Sequence, residues 1–160
     1  MTSWRDDASQ QAQDDLDGLV GAALPFAEEM LDQRGEFFPY ALALDEAGEA
    51  RVVAGDPGGG EQPASLDVLA TLIEGLRLEK DSLRAVALVS DVRLPESDAV
   101  RVELEHREGH ALAVFLPYKK KRMRRGVEVL GHDCGSKRAA GVGIAAGLGL
   151  AIAAICIASR

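Results

Sequence analysis

The chain has 160 residues and a net charge of −8, but residues 1–118 hold 9 Lys/Arg against 24 Asp/Glu whereas residues 119–160 hold 9 against 2. That length builds one compact domain with appendages, and an acidic body repels phosphate, which disfavours nucleic acid as a partner. Both cysteines, Cys134 and Cys156, lie in the last 30 residues and the opening MTSWRDDASQQAQDD carries no apolar secretion signal, so a reducing cytoplasm is the expected compartment.

Residues 1–13 are polar apart from Trp4 and read as a disordered arm. A first helix follows, with Leu16, Leu19, Val20, Ala23, Leu24, Met30 and Leu31 at three- and four-residue spacing and Asp14, Asp15, Asp17, Glu28, Glu29 and Asp32 on the other side. Gly35 stops it, and Pro25 inside the pattern predicts a kink or restart. EFFPYALALD and EARVVAG read as two strands joined by the hairpin loop DEAG. The connector GDPGGGEQP then leads to Ser65, the expected cap of a helix with the stripe Leu66, Leu69, Leu72, Ile73 and Leu76.

RAVALVSDV, residues 84–92, is apolar on both faces, the mark of a strand covered on two sides or buried in an interface. AVRVELEHRE alternates cleanly: Val100, Val102, Leu104 and His106 fall on one face and Arg101, Glu103, Glu105 and Arg107 on the other. The turn Arg107-Glu108-Gly109 joins it to HALAVFLPY as a hairpin.

The expected architecture is α+β: residues 14–118 form a five-stranded, mainly antiparallel sheet with two packed helices, in the order α-β-β-α-β-β-β. A basic linker (119–138) and an apolar C-terminal helix (139–159) follow. Roadblock and profilin-like domains share this order of elements, a likeness of topology that carries no function with it. In a profilin-like strand order residues 84–92 lie at an edge, so Ala85, Ala87 and Val89 are the expected partner edge of a dimer or complex.

The stretches ALPFAEEML, EFFPYALALDEAGEARVVAGD, LIEGLRLEK, RAVALVSDVRLP and SDAVRVELEHREGHALAVFLPYKKKR together resemble a widespread family of small uncharacterised bacterial proteins, from about Leu16 to Arg122. The resemblance implies a single domain and no particular activity. The tail departs from it: GVEVLGHDCGSKRAAGVGIAAG replaces the short polar extension that such proteins carry, as an added anchor or an end from a shifted reading frame.

The basic run KKKRMRR makes Lys119, Lys120, Lys121, Arg122, Arg124 and Arg125 candidates for an anionic membrane surface, each worth on the order of 1 kcal/mol there. A solvated extension is the plainer reading. Residues 139–159 carry no charge, and seven Val, Leu and Ile side chains favour insertion by roughly 2–4 kcal/mol, offset by four glycines. A packed soluble helix is the other reading of this segment. Gly143, Gly147 and Ala151 fall every four residues, a narrow face suited to helix packing, and basic residues before the span place the domain on the inner face of the cell membrane.

No residue reads as catalytic, cofactor-binding or metal-binding. His106 and His110 flank a turn where ordinary packing suffices, HDC (132–134) lacks a second ligand pair, Asp91, Glu96 and Asp98 read as a solvated acidic loop, and DPGGG lacks the Lys-Ser/Thr ending of a phosphate loop. The expected function is a non-enzymatic cytoplasmic binding or adaptor module for an unknown protein partner or a second copy, tethered by its C-terminus. The alternatives are an immunity-type protein that neutralises a basic toxin, favoured by the acidic body, and a small ligand-binding protein or enzyme.

Overall fold

The computed structural model describes residues 4–58, 60–120 and 127–129. Ten elements follow one another: α1 (Trp4–Asp7), α2 (Gln10–Arg34), β1 (Tyr40–Asp45), β2 (Ala50–Ala54), α3 (Ser65–Leu78), a 3-10 turn (Lys80–Ser82), β3 (Leu83–Arg93), β4 (Asp98–His106), β5 (Ala111–Lys120) and β6 (Val127–Val129). The α+β class and the five expected strands are present. All strand pairs are antiparallel, and β6 adds a short sixth member to give the order β2-β1-β3-β4-β5-β6.

One face of the sheet packs on α2. Leu16, Leu19, Ala23, Ala27 and Leu31 meet Tyr40, Leu42 and Leu44 of β1, Ala85, Ala87 and Val89 of β3, Val100, Val102 and Leu104 of β4, and Leu112, Leu116 and Tyr118 of β5. The helix presents small residues at Ala23 and Ala27, which allow close approach to the sheet. It continues through Pro25 rather than restarting there. Gly35 closes it in the left-handed region at φ 76°, its N–H bonded to the Leu31 carbonyl at 2.9 Å. The other face packs on α3, where Val68, Leu72 and Leu76 meet Ala41 and Ala43 of β1 and Leu83, Val86 and Leu88 of β3. Leu66, expected in this stripe, is exposed, and Val68 takes its place.

Three expectations are corrected by the topology. β3 is central, hydrogen-bonded to β1 on one side and β4 on the other, so Ala85, Ala87 and Val89 lie under α2 in the core and form no partner edge. Its apolar character on both faces reflects two helices of its own chain, one on each side. The arm is helical from Trp4: Ser9 caps α2 by accepting the Ala12 N–H at 3.1 Å, Arg5 grips Asp17 with two hydrogen bonds of 2.9 and 2.6 Å, and Trp4 packs against the core. Lys119 and Lys120, expected to open the linker, are the exposed end of β5, opposite Glu128 and Val127 of β6. Lys121, Arg122, Arg124, Arg125, the helix-packing Gly143, Gly147 and Ala151, and the apolar helix 139–159 lie outside the described residues. Among the described residues no helix is long and apolar enough to cross a membrane.

Candidate functional site

Two features stand out, a polar cluster at one end of the sheet and an open strand edge. The cluster begins with an irregularity in β3. Between Leu44 and Asp45 the pairing of β1 with β3 slips, so that Leu44 faces Ala85 while Asp45 faces Leu83, and Arg84 is the extra residue of a bulge. Arg84 thereby escapes the strand alternation and reaches Asp15 on α2, donating to it from Nε and Nη2 at 2.6 Å each.

His106, the last residue of β4 and 1% exposed, completes the group, with Nε2 3.1 Å from Asp15 Oδ2. Its Nδ1 accepts the backbone N–H of Glu108 at 3.2 Å, which assigns the remaining proton to Nε2, so the ring donates to the carboxylate. Asp15 is thus a buried acceptor shared by a guanidinium and an imidazole from two strands. It bolts α2 to β3 and β4, and every polar atom it uses is satisfied inside the protein.

Outside this group the β4–β5 turn is tied to the start of α2. Ser9 donates to Glu108 Oε1 at 2.7 Å, and this hydrogen bond holds the Glu108 carboxyl below its ordinary range. Trp4 lies tilted against the His110 ring at 6.5 Å. The two histidines do not converge on a shared ligand position: His106 turns inward to Asp15, while His110 lies 4.0 Å from Glu108 on the outside. Among the described residues no group of three or more His, Cys, Asp or Glu side chains is placed to hold a metal ion. The acidic loop is dispersed too. Asp91 accepts the Tyr118 hydroxyl at 2.7 Å on the α2 face, and Asp98 lies 3.5 Å from Arg93. HDC lies outside the described residues.

The open edge is β2. Of its five residues four are exposed and one is half-buried. Its backbone directions follow from the hairpin. The Asp45 N–H donates to the Glu49 carbonyl at 3.1 Å, which makes Asp45 and Glu49 a hydrogen-bonded pair. Alternation along the register then makes Arg51 and Val53 bond inward to Ala43 and Ala41, while the N–H and C=O groups of Ala50, Val52 and Ala54 point away from the sheet. Val52 is 57% exposed and lies opposite Leu42 on the α2 side. Phe26, 39% exposed, stacks edge-on against Tyr40 at 4.8 Å on that same side and brings a second apolar group to the edge. On the other face Arg51 pairs with Glu79 at the end of α3, which neutralises the one charge in the strand.

Sequence reasoning missed the Asp15 cluster, because Asp15 sits among acidic neighbours on a helix side that reads as solvent-facing. The signal that finds it is the coincidence of three chemically complementary residues at element ends, which needs the topology first. No protein-family model, no curated protein and no solved structure matches the chain.

Proposed function

We propose that the chain is a protein-binding module whose partner adds an extended strand to the outer edge of β2. The observation that carries this reading is the outward row of backbone groups at Ala50, Val52 and Ala54, flanked by the exposed side chains of Val52 and Phe26. A strand edge of this kind binds through main-chain hydrogen bonds, with side chains at alternate positions setting preference. The acidic balance of residues 1–118 favours a basic segment, since complementary charge speeds encounter and rejects wrong partners. The buried Asp15 and His106 and the half-buried Arg84 support the same reading, because their polar atoms serve the packing of α2 on the sheet.

The test is affinity capture with the full chain as bait, beside the variant Val52→Pro. Proline at Val52 removes an outward N–H and leaves the inward bonds of Arg51 and Val53 in place. The expected result is a protein retained by the unaltered chain and lost with Val52→Pro, whose binding slows amide exchange at residues 50–54. A retained protein that protects a different surface, or that Val52→Pro still holds, refutes the reading.

A further inference from the structure

The open edge of β2 is bracketed by unmatched negative charge. Several carboxylates lie near it, and most are engaged: Glu46 pairs with Arg107, Glu79 pairs with Arg51, and Asp45 Oδ1 accepts the Glu49 N–H at 2.9 Å. Glu49 stands immediately before β2 and Asp56 two residues after it. Both are exposed, and among the described residues neither makes a salt bridge; Asp56 Oδ1 accepts only the neutral Gly58 N–H, at 2.8 Å. Between these two charges the faces of the strand differ. On the α2 side Val52 is flanked by Ala50 and Ala54, whose single methyl groups leave room on either side of it, and Phe26 stacks on Tyr40, the cross-strand neighbour of Ala54. On the α3 side Arg51 is tied to Glu79, and Val53 is half-buried against the core under α3.

We propose, on the basis of strand addition at β2, that the segment bound there is a short protein strand with a lysine or arginine at each end and alternating branched apolar and small polar residues between. The main-chain pattern sets its register. Ala50, Val52 and Ala54 each turn one N–H and one C=O outward, so an antiparallel segment, the more stable pairing, places residues directly opposite all three. Those residues lie on the α2 side, where the space beside Ala50 and Ala54 takes branched side chains and the Phe26 ring extends the apolar surface. The residues opposite Arg51 and Val53 fall on the α3 side, where the ion pair with Glu79 asks for small polar groups. The ends follow from charge. A basic residue opposite Glu49 forms a cross-strand pair with it, and one opposite Gly55 stands beside Asp56, whereas an acidic residue at either place is repelled. Glu49 and Asp56 are seven residues apart, about 23 Å of extended chain, which a seven-residue segment with two long basic side chains spans.

Two capped peptides test the assignment, Lys-Ile-Thr-Val-Thr-Ile-Lys and the same sequence with glutamine at both ends. Each is titrated at low salt into the full chain, and binding is read from the amide NMR shifts of residues 49–56. The lysine-ended peptide is expected to move the amides of Ala50, Val52 and Ala54 and to bind about fivefold more tightly than the glutamine-ended one. Glu49→Gln/Asp56→Asn is expected to abolish that difference by weakening the lysine-ended peptide alone. Val52→Pro is expected to lose both peptides, and N-methylation of the central valine of the peptide, whose N–H faces the Val52 carbonyl, produces the same loss with the protein unaltered. Equal affinity of the two peptides, both lost with Val52→Pro or with the methylated valine, overturns the basic ends and leaves strand addition standing. So does a preference for lysine that survives Glu49→Gln/Asp56→Asn. No binding by either peptide, shifts on a different surface, or affinity that neither Val52→Pro nor N-methylation reduces overturns strand addition and the proposed segment together.

Discussion

Removing the carboxylate of Asp15 tests whether the polar cluster is a structural bolt. In Asp15→Leu the Arg84 guanidinium loses two hydrogen bonds of 2.6 Å and the His106 ring loses one of 3.1 Å, all within a group whose side chains are 17%, 8% and 1% exposed. Breaking a buried pair by deleting one partner costs about 3–5 kcal/mol, because the other charge stays desolvated. Arg84 keeps some water and a contact of 3.3 Å with the Glu46 carbonyl, so the low end, about 3 kcal/mol, is expected. Near the midpoint that is a fall in Tm of roughly 12 °C for a domain of this size. Arg84→Met leaves the carboxylate with His106 alone and costs about 2–3 kcal/mol. The double variant Asp15→Leu/Arg84→Met buries no unpaired charge and is expected to be no less stable than Asp15→Leu. Urea denaturation of the four proteins at pH 7, with unchanged m-values, gives the coupling energy directly. Additive losses, or a loss below about 1 kcal/mol for Asp15→Leu, refute the argument.

Three further outcomes follow from local geometry. Gly55→Ala is expected to cost about 2 kcal/mol in urea denaturation although Gly55 has an ordinary backbone, because a Cβ there meets the Val68 carbonyl oxygen at 2.9 Å and Leu72 Cγ at 3.0 Å. Tyr40→Phe removes a buried hydroxyl that donates to the Ala23 carbonyl at 2.6 Å and is expected to lower stability by about 1 kcal/mol, read from the same titration. The hydrogen bond from Ser9 holds the Glu108 carboxyl below its ordinary value of 4.5, so the stability it contributes is present above that value and lost as pH falls through the folded-state pKa. Glu108→Gln is therefore expected to flatten the loss of stability below about pH 4.5, and acid titrations of the two proteins that run parallel count against it.

The elements with clean periodicity were legible. β4 alternates as read and pairs with β5 as the expected hairpin, and the helix that buries Leu16, Leu19, Ala23 and Leu31 follows from its spacing alone. The position of β3 was not legible, since a strand covered by two helices of its own chain and one covered by a partner have the same composition. Arg84 and Asp15 failed for related reasons. The bulge takes Arg84 off the strand alternation, and Asp15 differs from its acidic neighbours only in what the sheet places opposite it. The helical start at Trp4 was hidden because residues 4–13 carry almost no apolar pattern, and local contacts such as Arg5 with Asp17 supply the order.

The edge and the charge belong to one argument. An open strand with Val52 exposed invites pairing with any available edge, a liability that proteins usually blunt with lysine, proline or cover. In β2 the single charge, Arg51, is already paired with Glu79 and so guards little. In the proposed reading, the acidic balance of residues 1–118 restrains association between copies and favours a basic strand at this edge. The two contributions separate experimentally. Raising salt from 50 to 500 mM is expected to slow capture of the partner without changing which residues it protects, whereas Val52→Pro removes protection at residues 50–54 at every salt concentration. A partner bound equally fast across that range is not selected by charge, which refutes the electrostatic part of the proposal.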